Sequence, residues 1–494
     1  MTDTDLILAI DQGTTGSTSL VVDPSLRVHG RSTVEFQQHF PKPGWVEHDP
    51  DQLWASVLTA VQQALSAAGA DPARIKAIGI TNQRETSLVW DRETGKPLHR
   101  AIVWQDRRTA DHCARLRKDG HEATIREQTG LVPDPYFSGT KLGWVLDHVE
   151  GARARAEAGE LAAGTIDTYA LWRLTGGEVH ATEPSNACRT MLWPLTGGGW
   201  SEAMCDLLGV PAAMLPSVHP SAHTFGHTKG VPGLPDGIPI CGIAGDQQSA
   251  LFGQACFQPG EAKCTYGTGA FVMMNTGTKI VPSKHGLLTT VGWQLGDTTT
   301  YCLEGSSFMA GAVVQWLRDE LGFFSSAAEV EALARSVPDA GGVVLVPAHA
   351  GLGAPHWRPE ARGLIRGLTR GTGRAHIARA ALEGIALQIT ELLDAMAADL
   401  GAPVAGLRVD GGAAANNLLM QIQADLLGVP LQRPTMLEAT ALGAIFLAGL
   451  GAGIWSDTTA LREAWVQDRA FDPSGDPETI AALRKAWTEA VALA

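Results

Sequence analysis

Two short apolar segments, each folded back around a turn of glycine and threonine, constrain this chain more than any other feature. The first is Ile7-Leu8-Ala9-Ile10, which runs into Asp11-Gln12-Gly13-Thr14-Thr15-Gly16-Ser17-Thr18 and resumes as Leu20-Val21-Val22. The second is Lys263-Cys264-Thr265-Tyr266, then Gly267-Thr268-Gly269, then Ala270-Phe271-Val272-Met273-Met274. Short apolar runs bounded by turn formers read as buried strands. Glycine lets backbone N–H groups approach a ligand closely and threonine adds hydroxyl donors, so such turns suit a phosphate. Asp11, delivered into the first turn by a buried strand, suits the divalent cation that accompanies a nucleotide. A plain hairpin whose Asp caps its own turn accounts for the same residues. The recurrence of strand, turn and strand near the start of each half points to a duplicated fold with phosphates held between the copies.

Strand and helix signals alternate from end to end, the pattern of an α/β fold. Strands are predicted over 7–10, 20–22, 78–80, 88–90, 102–104, 240–244, 343–346 and 407–409. Helices are predicted over 51–68, 140–148, 247–254, 376–397 and 416–427, with a solvated surface helix over 151–164. The most apolar stretch, 439–455, is rich in Ala and Gly and reads as a closely packed core helix, too short for a membrane span. A length of 494 residues fits roughly three units of about 150 residues or two large domains, and the repeated hairpin favours two, 1–253 and 254–494, with Gln258-Pro259-Gly260 as a hinge. The 38 basic and 52 acidic residues leave a formal charge of −14, which disfavours nucleic acid or an anionic membrane as a partner. The seven cysteines form no C-x-x-C pair and fit free cytosolic thiols. The short acidic start, Met1 to Asp5, does not read as a signal peptide, and a cytoplasmic location is expected.

Several polar groups stand where buried strands end. Thr81-Asn82-Gln83-Arg84-Glu85 lies between two predicted strands. Arg84 offers a fork of donors and Glu85 offers acceptors, which together suit a small polyol; a polar turn with an internal ion pair is the other reading. Trp104 could pack its flat face on a carbon skeleton while its indole N–H stays bonded, or belong to the core. Tyr136 precedes the 140–148 helix and is either a ligand contact or an interface aromatic. Asp246 sits between a buried strand and a helix, as an N-cap or as a general base, and Gln247 follows it. Asp410-Gly411-Gly412-Ala413-Ala414-Ala415-Asn416 turns a strand into a helix without bulky side chains and would admit a flat ring or a ribose. Gly311 and Gln315, one helical turn apart, could form the opposite wall, or simply belong to a buried helix. Neither G-x-G-x-x-G nor G-x-x-x-x-G-K-[ST] occurs, so neither a Rossmann nor a Walker site is indicated.

Taken together these motifs resemble the FGGY family of carbohydrate kinases over nearly the whole chain, and within it the members that act on glycerol. The resemblance rests on Asp11–Thr15, residues 79–86, 134–144, 242–248, 266–269, 351–371 and 409–412, with 41–50 as a further signature. It implies two actin-like, hexokinase-like (ribonuclease H-like) ATPase domains around a cleft. It implies transfer of the ATP γ-phosphate to the terminal hydroxyl of glycerol, with Asp246 as base. It further implies that Arg84, Glu85, Tyr136, Asp246 and Gln247 bind glycerol, with Trp104 and Phe271 walling its carbon chain. Thr14, Thr15, Gly16, Thr268, Gly311, Gln315, Gly412 and Asn416 would contact the nucleotide, with Thr18 in the same turn, and Asp11 would order Mg²⁺. A homo-oligomer, dimer or tetramer, belongs to the same expectation.

The chain departs from the family in two places. Thr18 stands where family members often carry an arginine that would touch phosphate. Residues 229–237 lack the arginine used by members inhibited by fructose 1,6-bisphosphate, and 473–478 differ from their partner-binding segment, so neither form of inhibition is carried over. The rival readings are a kinase of the same fold for another polyol or ketose, such as xylulose or erythritol, and a non-enzymatic nucleotide switch.

Overall fold

The computed structural model describes residues 5–358 and 360–494; residues 1–4 of the acidic start lie outside it. A six-stranded sheet carries the first turn, in the order Ala222–His227, Pro239–Gly245, Ile75–Asn82, Leu6–Gln12, Gly16–Val22 and Val28–Glu35. Leu6–Gln12 runs antiparallel to Gly16–Val22, with Asp11 opposite Thr18, and parallel to Ile75–Asn82, with Asp11 opposite Thr81. A seven-stranded sheet carries the second turn, in the order Leu288–Leu295, Thr298–Ser307, Ala270–Gly277, Glu261–Tyr266, Gly406–Asp410, Leu431–Pro434 and Gln467–Phe471. Here Glu261–Tyr266 is antiparallel to its hairpin partner and parallel to Gly406–Asp410. Each sheet therefore has a central strand with a Gly/Thr hairpin on one side and a parallel strand on the other. Parallel neighbours need long crossovers, and each half places its helices there.

Of the stretch 439–455, Ala439–Gly451 folds as a helix, buried along most of its length, and 452–455 turn away beyond its end. The helix lies on the first sheet, where Ala441, Ala444, Ile445 and Ala448 pack on Ile7, Ala9, Leu20 and Val22. Glycine makes this approach possible, since a Cβ at Gly79 would strike the Ala444 carbonyl oxygen and one at Gly242 the Ala448 backbone nitrogen. The same helix meets Asp246–Gly253, where a Cβ at Gly443 would strike the Ser249 carbonyl oxygen. Among the described residues no helix is long and apolar enough to cross a membrane. All seven cysteines are free and buried.

One sequence reading is corrected. The surface helix expected over 151–164 is only Ala152–Glu157, and Leu161–Thr165 is a buried strand paired with Ser87–Asp91. Gly159, at φ +76°, follows the last helical turn in a conformation that alanine and arginine avoid, and the chain then turns into the strand. Alanine fits both a helix and a tight interior, so composition does not mark the change. A smaller difference concerns 102–104, where only Ala101–Ile102 pairs and Trp104 stands in the turn beyond.

Gly79→Val is expected to cost about 3 kcal/mol or more, because the added atoms meet backbone rather than a movable side chain. Thermal unfolding of the variant beside the parent measures it.

Candidate active site

The strand Ile75–Asn82 continues into Gln83, Arg84 and Glu85, and this turn is stitched to the first hairpin. The Gln83 backbone N–H donates to the Gln12 carbonyl at 2.7 Å, and Gln83 Nε2 donates to Gln12 Oε1 at 2.9 Å. Glu85 takes φ +61°, a left-handed backbone that costs a residue with a Cβ on the order of 1 kcal/mol. It is held there from both ends: its carbonyl accepts from Ser87 and Ser138, and its carboxylate accepts from Arg189 Nε at 2.6 Å.

Arg84 is the centre of the site and only 2 % exposed. Its Nη1 and Nη2 donate to Glu304 Oε2 and Oε1 at 2.7 and 2.9 Å, a bidentate pair between the two sheets. Nη2 also donates to the Tyr136 hydroxyl at 3.1 Å, Nη1 to Gln248 Oε1 at 3.1 Å, and Nε stands 3.2 Å from Asp246 Oδ1. Room for this fork exists because position 245 is glycine; a Cβ there would lie 2.7 Å from Arg84 Cγ. Arg189 completes the cluster, with Nη2 donating to Glu304 Oε1 at 3.2 Å and its guanidinium over the Tyr136 and Phe137 rings.

Asp246 opens the helix Asp246–Gly253 directly after the strand Pro239–Gly245. Its Oδ1 accepts the Gln247 backbone N–H at 2.7 Å, and its side chain stays partly open at 28 %. Lys263 Nζ donates to Gln247 Oε1. Trp104 keeps its indole N–H bonded, donating to Thr14 Oγ1 at 2.9 Å, and meets the Tyr136 ring edge to face at 5.6 Å. Phe271 stands opposite Ser306, and Met273 opposite Glu304, so Phe271 and Glu304 share one face of the second sheet. Arg84, Glu85, Tyr136 and Asp246 are thus drawn together by direct contacts, Trp104 adjoins them through Tyr136, and Gln247 follows Asp246.

The turn residues form a second group. Thr15 and Thr268 are exposed at the tips of the two hairpins, with Thr14 half-buried. A Cβ at Gly16 would lie 2.9 Å from the Val34 carbonyl oxygen. The backbone N–H groups of Ala310, Gly311 and Ala312 donate to carbonyls of Gly267 and Thr268, which docks the helix Gly311–Asp319 on the second turn. Gly411, at φ +86°, lets the 410–412 turn close on Tyr266. Gly412 and Gln315 are exposed, and Asn416 caps Asn417–Leu427, its Oδ1 accepting from the Leu419 N–H at 3.0 Å. Thr18 lies on the strand Gly16–Val22 rather than in the turn, and its hydroxyl is bonded to that of Thr33 at 2.9 Å.

The electrostatics follow from this burial. Asp11 is pushed up to about 7, first by burial and then by the Asp246 carboxylate. Burial likewise raises Asp246, against the pull of Arg84, the Gln247 N–H and Lys263. Burial alone would also raise Glu304, yet Arg189 and Arg84 hold it down to about 2. Two interacting carboxylates of raised affinity for protons, one of them beside fixed cations, are the groups expected where charge is moved. Sequence reasoning missed Glu304, Arg189 and Lys263. For Glu304 and Lys263 the signal is a charge inside an otherwise apolar strand segment, as in Cys302-Leu303-Glu304-Gly305 and Ala262-Lys263-Cys264, which demands a buried partner; Arg189, in the short helical turn Cys188–Thr190, carries no such pattern.

Two sheets of one plan, two Gly/Thr turns and a partly open carboxylate on a helix start beside a buried guanidinium define a two-domain sugar or polyol kinase. The chain belongs to the FGGY family of carbohydrate kinases, whose N-terminal domain matches residues 6–253 and whose C-terminal domain matches 262–452. It is 59 % identical over 487 residues to the glycerol kinase of Myxococcus xanthus, covering 98 % of each chain. It is 56 % identical to the glycerol kinase of Bordetella parapertussis over all of this chain and 98 % of that one. A crystal structure of Plasmodium falciparum glycerol kinase with ADP superposes with a TM-score of 0.94 at 36 % identity, over 99 % of this chain and 98 % of that one. Xylulose kinase from Lactobacillus acidophilus, at 21 % identity and a TM-score of 0.86 over 99 % and 97 % of the two chains, shares the fold.

Glu304→Gln leaves two buried guanidinium groups short of a counter-charge and is expected to cost about 3–5 kcal/mol at pH 7. Because Glu304 is held near 2, its ionisation supports the folded state fully above about pH 4.5, and that support is lost as pH falls towards 2. Urea unfolding from pH 6 to pH 3 is expected to fall more steeply for the parent than for the variant.

Proposed function

We propose that the chain is an ATP-dependent glycerol kinase, giving sn-glycerol 3-phosphate and ADP. The observation that carries this reading is the convergence of Arg84, Tyr136 and Asp246, with Arg84 touching both of the others. The full-length relatives that share 56–59 % of their residues with the chain carry the same activity in their names.

In this reading Arg84 and Glu85 hold the glycerol hydroxyls, Tyr136 and Gln247 add further hydrogen bonds, and Trp104 and Phe271 flank the three carbons. Asp246 accepts the proton of the terminal hydroxyl as its oxygen bonds to the γ-phosphorus and the bond to the β-γ bridging oxygen breaks. The proton rests on Asp246, and ADP leaves with the bridging oxygen. The backbone and hydroxyls of Thr14, Thr15, Gly16 and Thr268 spread the charge on the transferring group, with Thr18 behind them. Gly311, Gln315, Gly412 and Asn416 bound the nucleoside. Asp11 fits Mg²⁺: it is a hard oxygen donor with no protein hydrogen bond to its carboxylate among the described residues, and when bound the metal would neutralise phosphate charge. Residues 1–253 then supply most of the polyol and phosphate contacts, and 254–494 the nucleoside contacts together with Thr268 and Phe271. The reduced, buried cysteines suit the cytoplasm, and a homo-oligomer, dimer or tetramer, is retained from the family.

Glycerol is expected to be the best substrate by kcat/KM in a coupled ADP-release assay over glycerol, erythritol, xylulose and other polyols; a better substrate among them overturns the assignment. Asp246→Asn is expected to lower kcat by at least about a hundredfold while ADP binding by calorimetry stays within threefold. Arg84→Ala is expected to raise the glycerol KM far more than the ATP KM.

A further inference from the structure

Lys263 is a buried ammonium that the reaction scheme above does not use. It lies inside the strand Glu261–Tyr266 with no exposed surface, opposite Met273 and beside Arg408 in the ladder. Its Nζ donates to Gln247 Oε1 and, at 2.9 Å, to Thr265 Oγ1. Thr265 in turn stands opposite Asp410, whose Oδ2 accepts from Gln254 Nε2 at 2.8 Å. A side chain such as methionine would fill the same place without the cost of desolvating a charge, and that cost is several kcal/mol. The ammonium is therefore best explained by what it holds.

What it holds is one end of an amide. An ammonium has donors and no lone pair, so only the oxygen of Gln247 can face it. Gln247 is half-buried on the first turn of its helix, and its backbone N–H is already donated to Asp246 Oδ1. With Oε1 turned inward to Lys263, the NH₂ group is the end left to face the cleft. We infer that Lys263 is a positioning residue, which fixes the Gln247 amide so that it presents only donors to a hydroxyl oxygen of the polyol. This rests on the glycerol kinase reading. Burial lowers the proton affinity of Lys263, and the nearby Asp410 and Asp246 carboxylates oppose that shift, in keeping with an ammonium that keeps its charge to hold the amide.

The test is a double-mutant cycle on steady-state constants. Lys263→Met is expected to raise the glycerol KM about tenfold, with kcat and the ATP KM within about threefold of the parent. Gln247→Leu is expected to raise the glycerol KM similarly, and Lys263→Met in that background is expected to add less than about twofold. Additive effects, or equal rises in both KM values, overturn the inference. Should Lys263→Met not fold, Thr265→Val removes one anchor while keeping the ammonium. It is expected to raise the glycerol KM about threefold in the parent and not at all in Gln247→Leu, and an unchanged KM or an additive effect overturns the inference. A parent that does not phosphorylate glycerol defeats the functional reading instead, which separates the two failures.

Discussion

The structure depends on a set of charges that water does not reach. Arg84, Glu85, Arg189 and Glu304 are each 2 % exposed or less and come from three distant stretches of the chain. Each ion costs several kcal/mol to dehydrate, so none is tolerable without the others. Glu304 belongs to the second sheet and Arg84 follows a strand of the first, and the bidentate pair between them ties the sheets in one relative position. The carboxylate of Asp246 stands against the remaining edge of the same guanidinium. A structural requirement, neutral pairing in the interior, therefore also orders the groups that would receive a polyol.

Close backbone packing complements this charge network. The helix Asp246–Gly253 is pressed by Ala439–Gly451 through Gly443, and the same helix meets Gly79 and Gly242 on the first sheet. Asp246 therefore owes its position to a segment almost two hundred residues further along the chain. In the second half, Gly411 and Gly311 play a similar part, bringing the 410–412 turn and a helix start against the 266–269 turn.

Much of this was legible in the sequence. The paired hairpins, the polar run 81–85 and the Asp246 junction are local patterns, each with a period or a turn chemistry of its own. The small-residue composition of 439–455 correctly announced tight packing. Three things were not legible, for physical reasons. The 161–165 strand is built of residues that suit either a helix or a strand. Glu304, Arg189 and Lys263 have roles defined by partners far away in sequence. The run of Gly and Thr over 13–18 places Thr18 in the phosphate turn, whereas pairing register puts it on a strand opposite Asp11, with its hydroxyl bonded to Thr33.

The placement of the helix Ala439–Gly451 also bears on how the molecule comes into being. During synthesis the first strands leave the ribosome early, but the helix that covers one face of their sheet is made near the end. Until then Ile7, Ala9, Leu20 and Val22 lack the helix that covers that face. Closing so long a loop is entropically slow, and an uncovered apolar sheet is what chaperones bind. The N-terminal half is thus matched as a domain by its family, but it completes its interior only when the other half has been translated.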